Sequence, residues 1–235
     1  MHIQVLNTGL LGVNTLIVPL CGNKVFVVDP AACDYSHDGD KITRWLRERE
    51  LECYAIVLTH SHFDHITGIA NLKKAFPDAK VAIHKNEACE LQNPPGPMGE
   101  SVLQFFGLEG LVLEIEKQPP ADVLLAHECT LAILEEKSSL ENPSDELSRA
   151  LSSWKVLLTP GHTPGSICLY NKEQKILISG DTLFQDGWGR TDMYGGNEHE
   201  IMKSLHYLDK TIPDETLVYP GHDCCGFKMG KNIFY

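Results

Sequence analysis

The sequence predicts an α/β protein in which two β-sheets lie face to face with helices on their outer sides. Two observations carry this. Segments of strand and helix character alternate along the chain, and they do so in two similar halves. The 235 residues, 43% of them hydrophobic, can furnish the core that such layers enclose. No segment repeats at a fixed period and none is of low complexity.

Strand signals open the first half at 3–6, 13–18 and 24–28. Asn7-Thr8-Gly9 and Gly22-Asn23 separate them, which predicts an antiparallel meander. Asp29-Pro30 ends the third strand. Residues 34–50 read as an amphipathic helix, with Ile42, Trp45 and Leu46 on one side and Arg and Glu on the other. A buried strand at 54–58 leads into a polar loop and a helix from about 66 to 76. A strand over Val81-Ala82-Ile83-His84 and a short helix near 87–91 follow. Asn93-Pro94-Pro95-Gly96-Pro97 is a loop, and Phe105-Phe106-Gly107 is an apolar stretch suited to covering a cleft. Residues 135–153, rich in Glu and Ser, are expected to be a surface excursion. Strands resume at 155–158, 167–170 and 175–178, and a helix over 198–208 and a strand at 216–219 finish the scaffold. The whole chain, 1–235, is read as one domain.

A formal net charge of −12 argues against a nucleic-acid partner, because phosphate backbones are held by clustered Lys and Arg. An anionic small substrate stays open, since bound divalent ions reverse the field locally. No terminal stretch has the form of a signal peptide and no apolar run is long enough to span a bilayer, so a cytoplasmic location is expected. The eight cysteines are scattered without a C-x-x-C pair, as suits reduced thiols there.

The chemistry concentrates in Thr59-His60-Ser61-His62-Phe63-Asp64-His65, which places three histidines and an aspartate on a strand-to-helix loop. Neither a helix nor a strand would aim all four at one ion. A tight loop can do so, or can divide them between two neighbouring ions. Imidazole and carboxylate are the ligand set of catalytic zinc and also suit iron or manganese. Three downstream sites share one design, an apolar strand that ends in glycine and then a ligand-type residue: His162, Asp181 and His222. Five histidines and two aspartates are about what two adjacent ions need if one carboxylate bridges them.

In this order His60, His62, Asp64, His65, His162, Asp181 and His222 resemble the ligand series of the metallo-β-lactamase superfamily, over nearly the whole chain. The resemblance implies an αββα four-layer sandwich with the metals at one edge between the sheets. It also implies that His60, His62 and His162 hold one metal, that Asp64, His65 and His222 hold a second, and that Asp181 bridges. Asp29 would be a supporting aspartate at the end of an early strand. Pro160-Gly161-His162-Thr163-Pro164-Gly165-Ser166, Ser179-Gly180-Asp181-Thr182-Leu183-Phe184 and Gly189-Arg190-Thr191-Asp192 are similar to the glyoxalase II-like hydrolases (hydroxyacylglutathione hydrolases). The two-domain form of that enzyme has a helical C-terminal domain that helps bind glutathione. This chain ends thirteen residues after His222, so that domain is expected to be absent. Gly230-Lys231-Asn232-Ile233-Phe234 resembles the close of the compact members.

With these ligands, that resemblance implies hydrolysis of a thioester by a hydroxide that bridges two ions, most simply zinc, with Asp64 and Asp181 in both metal-binding and catalytic roles. Arg190 has the fixed fork that suits a substrate carboxylate, or it pairs structurally with Asp192 or Asp186. Lys231 and Asn232 are further substrate contacts. Trp188 and Tyr194 either line the cleft or pack. Persulfide dioxygenases resemble the chain as well, in Asp64-His65-Ile66-Thr67-Gly68 and Gly189-Arg190-Thr191-Asp192. In that family one iron sits on residues matching His60, His162 and Asp181.

Overall fold

A computed structural model describes residues 2–92, 100, 103–105, 107–135 and 146–231. β1 (Gln4–Thr8), β2 (Val13–Pro19), β3 (Lys24–Val28), β4 (Glu52–Val57), β5 (Lys80–His84) and β6 (Val123–Leu125) form one sheet in that order. β1 to β3 are an antiparallel meander, and β3 to β6 run parallel. In the second half β7 (Trp154–Leu158), β8 (Ile167–Asn171) and β9 (Ile176–Gly180) are antiparallel neighbours. A small hairpin, β10 (Leu183–Phe184) with β11 (Gly187–Trp188), comes before β12 (Leu217–Pro220) and β13 (Phe227–Lys228). The second sheet has the order β13-β12-β9-β8-β7.

The alternation of side chains along each strand explains the layering. In β2 and β3, Leu16, Val18, Phe26 and Val28 face the second sheet and meet Val156, Ile167, Leu169 and Ile178. Their neighbours Ile17, Val25 and Val27 face outward against Ile42 and Leu46 of the helix Lys41–Arg47 and Ile69 and Leu72 of the helix Ile69–Ala75. In the second sheet Leu157, Cys168, Leu177 and Val218 pack against Ile201, Leu205 and Leu208 of the helix Glu198–Thr211. Strands buried on both faces read as continuous apolar runs. Three apolar layers thus separate helix, sheet, sheet and helix. Phe26 and Trp154 meet edge to face across the seam, with ring centroids 5.4 Å apart.

Two expectations are corrected. The helix expected over 34–50 is limited to Lys41–Arg47, because the Asp38 carboxylate draws the preceding residues into turns through the amides of Gly9 (2.9 Å) and Cys33 (3.2 Å). The helix from 66 to 76 is two pieces, Phe63–Ile66 and Ile69–Ala75. Of the excursion expected at 135–153, residues 135 and 146–153 are described, and Glu146, Arg149 and Ser152 are exposed there. Glu146–Ser152 is a helix whose Leu151 is fully buried, and the Ser148 hydroxyl donates to the Glu135 carboxylate at 2.6 Å. Residues 136–145 lie outside the described residues, as do the Asn93-to-Pro97 loop and Phe106. Leu103 is buried in the first core and Phe105 is exposed.

Candidate metal centre

Strand direction assembles the site. β7 and β9 are both antiparallel to β8, and β12 is parallel to β9, so all three end on one rim. His162, Asp181 and His222 follow those ends. His60, His62, Asp64 and His65 follow β4 on the facing sheet, with Phe63–Ile66 turning at once into a short helix. Gly221 is required by the room available, since a Cβ there would stand 2.2 Å from Asp181 Oδ1 and 2.8 Å from His65 Cε1.

All seven side chains converge. His60, His62 and His162 present ligand atoms within 4.8 Å of one another, and so do Asp64, His65 and His222. His60 Nε2 lies 3.1 Å from His62 Nδ1. His65 Nε2 lies 3.3 Å from His222 Nε2, which is 3.4 Å from Asp64 Oδ2. Asp181 spans the two groups, with Oδ1 3.5 Å from His65 Nε2 and Oδ2 3.6 Å from His162 Nε2. Ligand atoms around a tetrahedral ion with bonds of ~2.0–2.1 Å stand roughly 3.3 Å apart, so these spacings fit shared cations. His162 Nε2 and Asp181 Oδ1 are buried with no hydrogen-bond partner among the described residues, which is costly unless a cation engages them.

Charge divides the cluster. Burial, reinforced by His65, His62 and His162, pushes His60 well below the usual histidine range. At His62 burial and His162 outweigh the nearby carboxylates and push it down to about 3. These rings are neutral, the form that ligates. At His65 burial opposes charge, but Asp181 and Asp64 overcome it and raise the group well above its ordinary value. His222 is raised as well: burial works against it, and a hydrogen bond to Asp64 with the charge of Asp181 prevails. Burial also opposes charge on Asp181 and Asp64, yet His65 holds both carboxyls below the usual range. This half of the site demands positive charge.

A shell of partners fixes which nitrogen each ring presents. Asp29, buried at the end of β3, accepts from Thr59 N (2.8 Å), Thr59 Oγ1 (2.6 Å) and His65 Nδ1 (3.0 Å). With its own proton given to Asp29, the Thr59 hydroxyl accepts from His60 Nδ1 at 3.0 Å. His162 Nδ1 donates to the Arg190 carbonyl at 2.8 Å. The rings of His60, His65 and His162 are thereby turned with Nε2 inward. Asn14 holds the His222 loop through Pro220 O (3.2 Å) and Asp223 O (3.0 Å). Glu87, fully buried, takes the amides of Ser61 and Gly165. Sequence reasoning missed Thr59, Asn14, Glu87 and the Arg190 carbonyl. Thr59 alone carried a local signal, a hydroxyl directly before the first histidine.

The cluster opens into a cavity of about 350 Å³ walled by Leu11, Phe184, Trp188 and Met193 beside the ligands. Arg190 lines it too. Its guanidinium makes a two-pronged pair with Asp192 (2.7 and 2.8 Å) and lies 4.6 Å from the Phe105 ring centroid. Of the two partners expected for a paired Arg190, the structure places Asp192 against it. Trp188 lines the cavity, and Tyr194 is exposed. The backbone of Lys231 closes the turn Met229–Lys231, while its side chain and all of Asn232 lie outside the described residues.

Comparison with known proteins agrees with this geometry. The sequence model of a family described as the metallo-beta-lactamase superfamily matches residues 8–222. A relative from Bacillus subtilis (strain 168), named probable metallo-hydrolase YqgX, is 34% identical over 208 residues, covering 87% of this chain and 86% of its own. The crystal structure of BLEG-1 B3 metallo-beta-lactamase superposes with a TM-score of 0.78 at 28% identity, over 98% of this chain and 95% of that one. That of TTHA1623 in a di-iron-bound form gives 0.72 at 27% identity, over 97% and 96%.

Proposed function

The chain belongs to the metallo-β-lactamase superfamily, and from that premise we propose that it is a metal-dependent hydrolase of thioesters, hydroxyacylglutathione among them. One observation carries the two-ion reading: a single carboxylate, Asp181, reaches a member of each ligand triad. His60, His62 and His162 would hold one divalent ion and Asp64, His65 and His222 the other. The nitrogen and oxygen donors suit zinc, with iron or manganese as alternatives. The name of YqgX supports a metallo-hydrolase, and the di-iron form of TTHA1623 supports a site for two ions.

Bound there, the ions would polarise the acyl carbonyl and bring a coordinated water toward neutral pKa. The chain does the rest. Asp64, buried but bordering the cavity, is placed to accept a hydrogen bond from the attacking water and orient it. Asp29, Thr59 and the Arg190 carbonyl keep the imidazoles from turning. Arg190 would exchange its Asp192 partner for a carboxylate of the substrate, with Lys231 and Asn232 as further contacts. Beyond the seven ligand residues, Arg190 is the one ionisable group among the described cavity-lining residues. No side chain there is suited to protonate a poor leaving group. A thiolate, from a thiol of pKa ~8.5, leaves without such help. The substrate is thus a small anionic thioester, turned over by one cytoplasmic domain. Among the described residues no helix is long and apolar enough to cross a membrane.

The test is elemental analysis of the purified protein with a glutathione thioester assayed on the same sample. Two divalent ions per chain with cleavage is the expected result. One iron per chain, no cleavage, and oxygen uptake with glutathione persulfide would replace the hydrolase by a dioxygenase.

A further inference from the structure

Glu87 stands in the turn after β5, does not touch the cavity and is fully buried. A buried carboxylate is costly unless its oxygens are fully engaged, and here both are. Oε2 accepts from the Ser61 amide at 3.1 Å and from the Ser61 hydroxyl. Oε1 accepts from the Gly165 amide at 2.7 Å. Ser61 lies between His60 and His62, and Gly165 is three residues beyond His162. The two loops it joins belong to opposite sheets, and between them they carry all three members of the first triad. Gly165 leaves the space the carboxylate occupies, since a Cβ there would stand 2.5 Å from Glu87 Cγ. None of these three hydrogen bonds reaches Asp64, His65 or His222.

We propose that Glu87 is a positioning residue for one metal site, setting the spacing of His60 and His62 against His162 while leaving the Asp64, His65 and His222 site unaffected. The inference rests on the two-ion reading above. Partners that orient ligands in this way change metal affinity by about 10- to 100-fold. E87Q keeps the shape and one acceptor but turns an amide donor toward a backbone N–H, that of Ser61 or of Gly165, so it should lose one site's affinity by that factor and keep the other's.

The experiment is zinc titration of metal-free protein against a chromophoric chelator, resolving two dissociation constants. His162→Ala and His222→Ala identify which constant belongs to which triad, and thermal melts of the metal-free proteins report folding. Weakening confined to the constant lost in His162→Ala, with the metal-free melt unchanged, supports the assignment. Unchanged constants in E87Q, or equal weakening of both together with a lowered metal-free melt, overturns it. Ser61→Ala removes only the hydroxyl's hydrogen bond, and it must show the same one-sided loss on a smaller scale even if E87Q does not fold. Wild-type protein that binds no zinc, iron or manganese would overturn the two-ion reading itself, and this assignment with it.

Discussion

Asp29 shows how much one buried side chain can settle. It adopts a positive φ of 48°, a conformation that Asn shares more readily than most residues. Asp29→Asn should therefore fold, but its amide sets a donor either against Thr59 N or against Thr59 Oγ1 and His65 Nδ1. Zinc affinity at the His65 site is expected to drop about 10- to 100-fold, read by chelator competition; unaltered binding would refute the role. Two cysteines make a different point. Burial pushes the Cys53 thiol up to about 12 and that of Cys168 up to about 11, against an ordinary 9.0. Folded values raised in this way contribute stability that is complete below pH 9 and lost as pH rises through 11 and 12. Urea unfolding should show falling stability above pH 9. At pH 8, alkylation followed by mass spectrometry should mark exposed Cys89 and Cys224 while sparing Cys53 and Cys168.

At the level of elements, the contact of Trp154 with Phe26 joins the two sheets through fully buried rings. Trp154→Ala should cost about 3–5 kcal/mol, measured by denaturant unfolding with the slope unchanged. The elements also show what a sequence makes legible. Strands such as β2 and β3 declare themselves because both faces are apolar. The ligand loop does so because four donor residues fall within six positions. β6 is only three residues long, and Glu146–Ser152 buries little more than Ser148 and Leu151, so neither has a clear period. Glu87 and Asn14 are hidden for another reason. The partners of Glu87 are 26 and 78 residues away and those of Asn14 more than 200, and nothing near either residue announces them. Local pattern reads what is held locally, and the supports of the site are held by topology.

For the molecule as a whole, metal binding and folding are coupled, because the donor geometry exists only when the sheets are packed. With free zinc about 1,000-fold above its dissociation constant, binding adds ~4 kcal/mol. Calorimetry should then show chelator-treated protein melting roughly 8–16 °C lower, and no shift would mean no resident ion. Each triad draws from both sheets, two members from the loop after β4 and one from beyond β7 or β12. The ions would therefore act as a clasp on the open rim of the sandwich. An edge fastened in this way would stay shut at the base while its mouth faces solvent, so a substrate would come and go without the two halves parting.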